Sequence, residues 1–400
     1  MITVDQAKQI ILDNITILDP LKTPLQEASG HVLAEDVYAA YDIPAFRQSS
    51  MDGYAIKFEP ALKTYTLVGE MAAGTSQSIT ITNGETSRIF TGAPLPEGAD
   101  TVVMQEKINL SANQITVEDP KIAKGLNVRE KGAEIKAGAL AMQTGSLLTP
   151  AALGFLAGIG ISEVKVFPMP KVTIVLTGNE LRQPGNPLAF GQVYESNSYS
   201  LSAALKLEGI QHIEVLWVND NLESLIETMH MALNQSDVVL LTGGVSVGDY
   251  DFVIAAAAQC GIAQKFHKIK QKPGKPLFFG TQNRKLVFGL PGNPSSVLSC
   301  YYNYVLPAIK ALSNLPNSMV EVEAELETDY EKPLGLTHFL KGIYTNGKAK
   351  PLNAQESFRL SSFAHSNCLI RLREDQQHFV AGEKITVMLL PDQSKAYKND

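Results

Sequence analysis

The segment Leu240–Asp251 reads LLTGGVSVGDYD, an apolar run that breaks into a glycine-rich loop bearing Thr, Ser and two Asp. An apolar strand of this kind delivers its loop to the carboxyl edge of a sheet, where open α/β folds bind ligands. Gly243, Gly244 and Gly248 let the backbone approach a ligand and aim N–H groups at an anion, with Ser246 among them. Asp249 and Asp251 would repel a bare phosphate, so amides beside carboxylates point to a divalent cation between the two.

Three more loops carry the same kinds of residue after apolar strands. Thr177-Gly178-Asn179-Glu180 follows Val172–Leu176, and Asp220 follows Ile213–Val218. Pro291-Gly292-Asn293-Pro294-Ser295 follows Leu286–Leu290 and opens a helix that Ser295 could cap, leaving free amides for a phosphate. Taken singly, each is explained as a turn by its composition. Four such loops at one sheet edge make a site.

Lys268, Lys270, Lys272 and Lys275 lie in HKIKQKPGKP, a run that leads into a Pro-Gly turn between apolar segments of an acidic chain. It reads equally as a solvated face or as a loop facing an oxyanion. In the N-terminal half, Ser49–Ala55 (SSMDGYA) places Asp52 before a glycine, and Arg88–Ala93 presents the Thr91 hydroxyl at a strand end. Arg359 with Ser361 and Ser362 could bind an oxyanion or form a surface turn. The chain has no GxxxxGK[ST], HExxH or GxSxG motif, and His212 and His230 read as structural residues of a strand and a helix. Carboxylates outnumber any His or Cys ligand set, which favours Mg²⁺ held through oxygen.

The elements that must position these groups are legible from periodicity. Thr3-Val4-Asp5-Gln6 has capping-box form ahead of an amphipathic helix. Short β-rich runs follow at Tyr65–Val68, Ser78–Ile81, Thr101–Ile108 and Gln114–Val117, and Thr149-Pro150 starts a helix that ends near Gly158. After Pro168-Met169-Pro170, strands alternate with helices at Ser198–Leu207 and from Leu222, and the last helix runs from Ser295 to about Ala311. That alternation implies right-handed βαβ units and a mostly parallel sheet. Beyond Leu315-Pro316-Asn317, alternation in Val320–Leu326 and Lys384–Leu390 predicts a small β-barrel or sandwich, with a frayed tail from Asp392.

Whole-chain properties bound the function. The 400 residues, 44% hydrophobic and 19% charged, fit a soluble protein of about two to four domains. A formal charge of −7 argues against broad nucleic-acid binding. Three scattered cysteines favour a reducing compartment, and the absence of an apolar leader or spanning run makes the cytoplasm the expected location.

Several motifs together resemble one family, the molybdopterin molybdenumtransferases of MoeA type, related to the E domain of gephyrin. They are Ser50–Ala55, Ile89–Glu106, Thr177–Leu181, Gly243–Asp251, Lys272–Pro276 and Gly289–Ser296, in the family's order and across nearly the whole chain. Taken alone, the α/β loops are shared with molybdopterin adenylyltransferases and CinA-type proteins. The resemblance implies an α/β plus β multidomain fold. Its parts would be an elongated dimerisation domain (1–45 and 132–168), an inserted β-rich domain (46–131), a molybdopterin-binding α/β domain (169–316) and a C-terminal β-barrel (317–400). It further implies a homodimer that uses Mg²⁺ and molybdate to cleave adenylylated molybdopterin, insert molybdenum and release AMP. A molybdopterin adenylyltransferase and molybdoenzyme acceptors are the implied partners.

By position, the resemblance assigns Asp52 and Thr91 to action across the dimer cleft, and Glu180, Asp220 and Asp251 to the α/β site, with Mg²⁺ on Asp220 and Asp251. Thr177, Gly178, Gly243, Gly244, Ser246, Gly248, Lys268, Lys272, Lys275 and Pro291–Ser295 fall on the substrate edge. Arg359 and Ser362 fall at the molybdate position, and Glu134 stands where some members have Asp. Asn179 also replaces an Asp of some relatives, which leaves Glu180 as that loop's acid. The rival readings are an adenylyltransferase acting one step earlier and a gephyrin-like scaffold without catalysis.

Overall fold

A computed structural model describes residues 1–244 and 252–391. Contacts divide the chain into two compact units: Met1–Leu21 with Gly30–Val32 and Val166–Asp400, and Lys22–Ser29 with Leu33–Lys165. Ser246, Gly248, Asp249, Asp251 and the tail from Asp392 lie outside the described residues.

In the first unit, helix α1 (Val4–Asp13) carries the expected capping box, Thr3 and Gln6 exchanging bonds of 2.9 and 3.2 Å. The central sheet contains β1 (Val172–Thr177), β2 (Ile213–Val218), β3 (Val238–Thr242), β4 (Ala263–Lys268), β5 (Pro276–Gln282) and β6 (Lys285–Leu290), in the order β2-β1-β3-β6-β5-β4. The first four in that order are parallel neighbours. Strands β5 and β4 extend the sheet antiparallel, an addition that the lysine-rich sequence of β4 concealed.

Alternate residues of the parallel strands feed two separate cores. Ile174, Leu176, Leu240 and Phe288 pack on one face with Leu201 and Leu205 of α2 (Asn197–Leu207). Val175, Val239, Leu241 and Val287 pack on the other with Leu225, Met229 and Leu233 of α3 (Leu222–Gln235) and with α4 (Phe252–Gln259). Burial on both faces explains why these strands read as unbroken apolar runs. His230 lies on α3 as expected, exposed, whereas His212 falls just before β2 and not on it.

The expected helix from Ser295 to Ala311 forms, with a π-helical turn within it. It comprises α5 (Pro294–Cys300), a π-helical turn at Tyr301–Val305 and α6 (Leu306–Leu312). Pro307 explains the interruption, because its ring has no N–H and crowds the carbonyl four residues back.

The C-terminal strands are β7 (Val320–Leu326), β8 (Thr337–Thr345), β9 (Lys348–Pro351), β10 (Cys368–Leu372) and β11 (Lys384–Leu389). They pair β8-β9-β7-β11-β10, and β10 pairs back onto β8, which closes a five-stranded barrel. The second unit holds a six-stranded sheet ordered Thr101–Met104, Gly53–Ile56, Glu85–Ile89, Thr64–Met71, Gln114–Val117 and Ile108–Ser111. Ser78–Ile81, expected as a strand, makes only an isolated bridge from Thr80 to Glu97. Helix Pro150–Gly158 is capped by Thr149 as expected.

Lysine-rich HKIKQKPGKP is pinned from beneath. Gln271, fully buried, donates to the Gly274 carbonyl at 2.9 Å and accepts from the Tyr304 hydroxyl. Gly274 sits at φ +81°, and a Cβ there would lie 2.4 Å from Cys300 Sγ. Gly274→Ala is therefore expected to destabilise the protein by about 2 to 4 kcal/mol through overpacking and left-handed strain, read as a lowered urea midpoint.

Candidate functional site

Because β2, β1, β3 and β6 are parallel and adjacent, the turns that follow them emerge at one sheet edge. A cavity of about 640 Å³ opens there, within the usual range for small-molecule sites. Of the expected residues, Thr177, Glu180, Gly243, Gly244 and Pro291 to Pro294 line it. The turns are in close contact. A Cβ on Gly243 would meet the Thr177 carbonyl at 2.8 Å, and one on Gly292 would lie 3.8 Å from the Gly243 Cα. Gly243 is at φ +87°, so glycine meets both its backbone and its space requirement.

Asp220 is tied to the same edge by its amide, which donates to Asn179 Oδ1 at 3.3 Å. Partial burial raises its pKa above the ordinary carboxylate value, and the nearby charge of Glu180 raises it further. A partly buried Asp220 carboxyl whose ionisation is disfavoured marks a position that a bound cation would relieve. Among the described residues no cluster of three or more His, Cys, Asp or Glu is present, and Asp251, the other expected Mg²⁺ ligand, lies outside them.

Other expected residues are placed differently. Ser295 does not cap α5: Asn293 is the N-cap residue and no side chain supplies a cap bond. The Ser295 hydroxyl is buried without a partner, while its amide donates to the Ser357 carbonyl at 3.0 Å. Lys272 lines a separate cavity of about 310 Å³ with His338 and Gln355. There burial, with Lys332 and Lys272 nearby, pushes the His338 imidazole down to about 4. Lys268 ends β4, and Lys275 is exposed just before Pro276, which does line the larger cavity. Gly178 holds no place in the wall, although a Cβ on it would meet the Glu180 carboxylate at 2.8 Å. Arg359 pairs with Glu356 at 3.2 Å, and the Ser362 hydroxyl donates to the Ala354 carbonyl at 2.8 Å.

The cavity wall also holds residues that were not expected, Glu195, Asn197 and Phe358 among them. Glu195 is buried and accepts from the amide and hydroxyl of Ser198, each at 2.6 Å, which fixes the start of α2. Asn197 donates to the Gly292 carbonyl at 2.9 Å and joins α2 to the Pro291 turn. Its Oδ1 and the Thr242 hydroxyl are buried without partners. Phe358 comes from the loop before Ser361. Glu195 and Asn197 lie in ESNS, whose buried acid and amide beside a helix start were the available signal.

In the second unit, antiparallel pairing of Gly53 with Ile89 brings Asp52 to the start of the Phe90-Thr91 segment. The Thr91 amide and hydroxyl both donate to Asp52 Oδ1 at 2.8 Å. These two bonds, the amide first, hold the Asp52 carboxyl below its ordinary range, and the charge of Arg88 adds to them. Asp52 is thus an exposed, ionised carboxylate in a fixed orientation. Glu134 is exposed, its amide bonded to the Ile43 carbonyl at 2.9 Å.

Residues 2–160 match the MoeA N-terminal region (domain I and II), residues 173–311 a probable molybdopterin binding domain, and residues 323–390 the MoeA C-terminal region (domain IV). A molybdopterin molybdenumtransferase of Haemophilus influenzae is 33% identical over 399 residues, covering 97% of this chain and 98% of its own. The chain belongs to the molybdopterin molybdenumtransferase family. An enzyme of the same name from a Nostoc species is 35% identical over 92% of this chain and 88% of its own. Two crystal structures of the molybdopterin biosynthesis MoeA protein of Pyrococcus horikoshii superpose with TM-scores of 0.81 and 0.76, at 29% and 31% identity. They cover 97% and 98% of this chain, and 99% and 100% of their own. Among the described residues no helix is long and apolar enough to cross a membrane.

The raised pKa of Asp220 sets a test of the acidic pair. A carboxyl whose folded pKa lies above its unfolded value costs stability once pH exceeds the folded pKa, and costs none below the unfolded pKa of about 4. Without metal, Asp220→Asn should therefore melt higher than the parent protein at pH 7, and the two should converge as pH falls below about 4, followed by scanning calorimetry.

Proposed function

We propose that this chain inserts molybdenum into adenylylated molybdopterin and releases AMP, the final step in making the molybdenum cofactor. The observation that carries this reading is the convergence of three strand-end turns on one cavity, in a domain that matches a probable molybdopterin binding domain. Full-length similarity to proteins named molybdopterin molybdenumtransferase favours it over an adenylyltransferase or a scaffold. The division into 1–45 with 132–168, 46–131, 169–316 and 317–400 is part of the proposal.

The turns at Thr177, Gly243 and Pro291 to Ser295 bind the ligand, through backbone amides other than those of Gly243 and Ser295, which bond to the Leu290 and Ser357 carbonyls. Glu180 orients the attacking oxygen or the pterin. Asp220 and Asp251 would hold Mg²⁺, which would supply charge neutralisation for the phosphoanhydride. Ser246 and Gly248, which lie outside the described residues, are assigned by sequence to phosphate binding alongside Gly243 and Gly244. Lys268, Lys272, Lys275 and Arg359 attract molybdate, a substrate, as positive charges. Ser362 serves the molybdate position by fixing the backbone of the Arg359 loop. Asp52 and Thr91, together with Glu134, act on ligand held by a second copy of the chain.

Incubation with adenylylated molybdopterin, Mg²⁺ and molybdate should release AMP in a molybdate-dependent manner. Asp251→Asn and Glu180→Gln should each lower kcat by about a hundredfold or more, as expected when charge stabilisation is removed. Unchanged turnover in both variants contradicts the assigned roles. Complementation tests the second-copy assignment: Asp52→Asn mixed with Glu180→Gln and allowed to exchange subunits should regain activity that neither shows alone. No recovery in exchanged heterodimers contradicts action across a dimer.

A further inference from the structure

The cavity wall has two chemically different parts. One is backbone, from the turns at Gly243 and Pro291 to Pro294, and suits an anion. The other includes two aromatic rings, Tyr194 and Phe358, that are 48% and 62% exposed. A lone exposed ring is ordinary. Phe358 differs in how firmly its loop is held.

Residues 352–360 have no regular structure, yet they are fastened from inside by one buried cation. The Lys341 ammonium, on β8, donates to the carbonyls of Ala354 at 2.9 Å, Arg359 at 3.1 Å and Glu356 at 3.4 Å. The residue is 2% exposed, and burial lowers its pKa. Gln355 completes the fastening: its Oε1 accepts from the Lys341 amide at 3.0 Å, and its Nε2 donates to the Lys341 carbonyl at 2.9 Å. On the cavity side, Ser357 accepts from the Ser295 amide at 3.0 Å and from Asn293 Nδ2 at 2.8 Å. Phe358 follows Ser357 directly, so its ring is presented to the cavity by a loop bonded at both ends. Folding alone gains little from anchoring an apolar ring where it stays mostly wet.

We infer that Phe358 is a specificity-determining residue that stacks on a flat heteroaromatic ring of the ligand, adenine or pterin, and that Lys341 is the positioning residue that holds it in place. The inference rests on the ligand class proposed above and adds the side chain that reads its ring.

Titration calorimetry with three probes decides it: AMP, 6-hydroxymethylpterin, and ribose 5-phosphate as the ringless control. Phe358→Ala should weaken binding of one ring compound by about five- to a hundredfold, the range for losing one base stack, and leave ribose 5-phosphate unchanged. Loss on AMP assigns adenine, and loss on the pterin assigns the pterin ring. Phe358→Trp should restore binding. Lys341→Met should weaken the same ring compound in the parent background and add nothing to Phe358→Ala, since a positioning residue acts through the ring it positions. In turnover, Phe358→Ala should raise KM more than it lowers kcat. If Phe358→Ala binds all probes as the parent does, the inference is overturned and the proposed reaction stands. If the parent binds neither ring compound, the ligand class fails and takes the inference with it.

Discussion

The parallel ladder that joins β2, β1, β3 and β6 is the constraint on which the site depends. Parallel pairing in register sends every strand the same way, so each following turn leaves at the same edge. No turn needs to recognise another. The apolar cores on the two sheet faces fix the register, because a slip of one residue would turn Ile174, Leu240 and Phe288 away from α2 and towards α3. The chemistry of the edge is thus secured by apolar burial far from any ligand.

Onto that edge the chain places groups that are costly to hold without a ligand. Asp220 is partly buried beside the charge of Glu180, and Asn197 and Thr242 keep buried oxygens unpaired. Each carries a penalty of the kind that folding selects against unless binding recovers it. Asp52 is the opposite case, an ionised carboxylate stabilised by both donors of Thr91. One group is poised to gain from a cation, and the other is already satisfied and fixed in direction.

Much of this was legible from residue order alone, for identifiable reasons. Strands buried on both faces leave long apolar runs, and the glycine, proline and carboxylate turns after them stand out against that background. The barrel was legible because Val320–Leu326 alternates with glutamates. What stayed hidden depends on tertiary context. Strand β4 is rich in polar residues because it is an edge. Pro307 interrupts its helix through a π-helical turn that no local pattern marks. Ser295 looked like a cap, but the helix begins earlier, at Pro294 after the N-cap residue Asn293, and buries it. Lys341 and Phe358 gain meaning only from a loop that folds back over the Pro291 turn, which spacing along the chain does not reveal.

The central claim is that the turns at one sheet edge form a single ligand site. Hydrogen exchange with and without adenylylated molybdopterin tests it directly. The account predicts that peptides containing residues 177–180, 242–244, 291–295 and 352–360 slow together on addition of the ligand. Slowing confined to other surfaces, with those four segments unchanged, would contradict it.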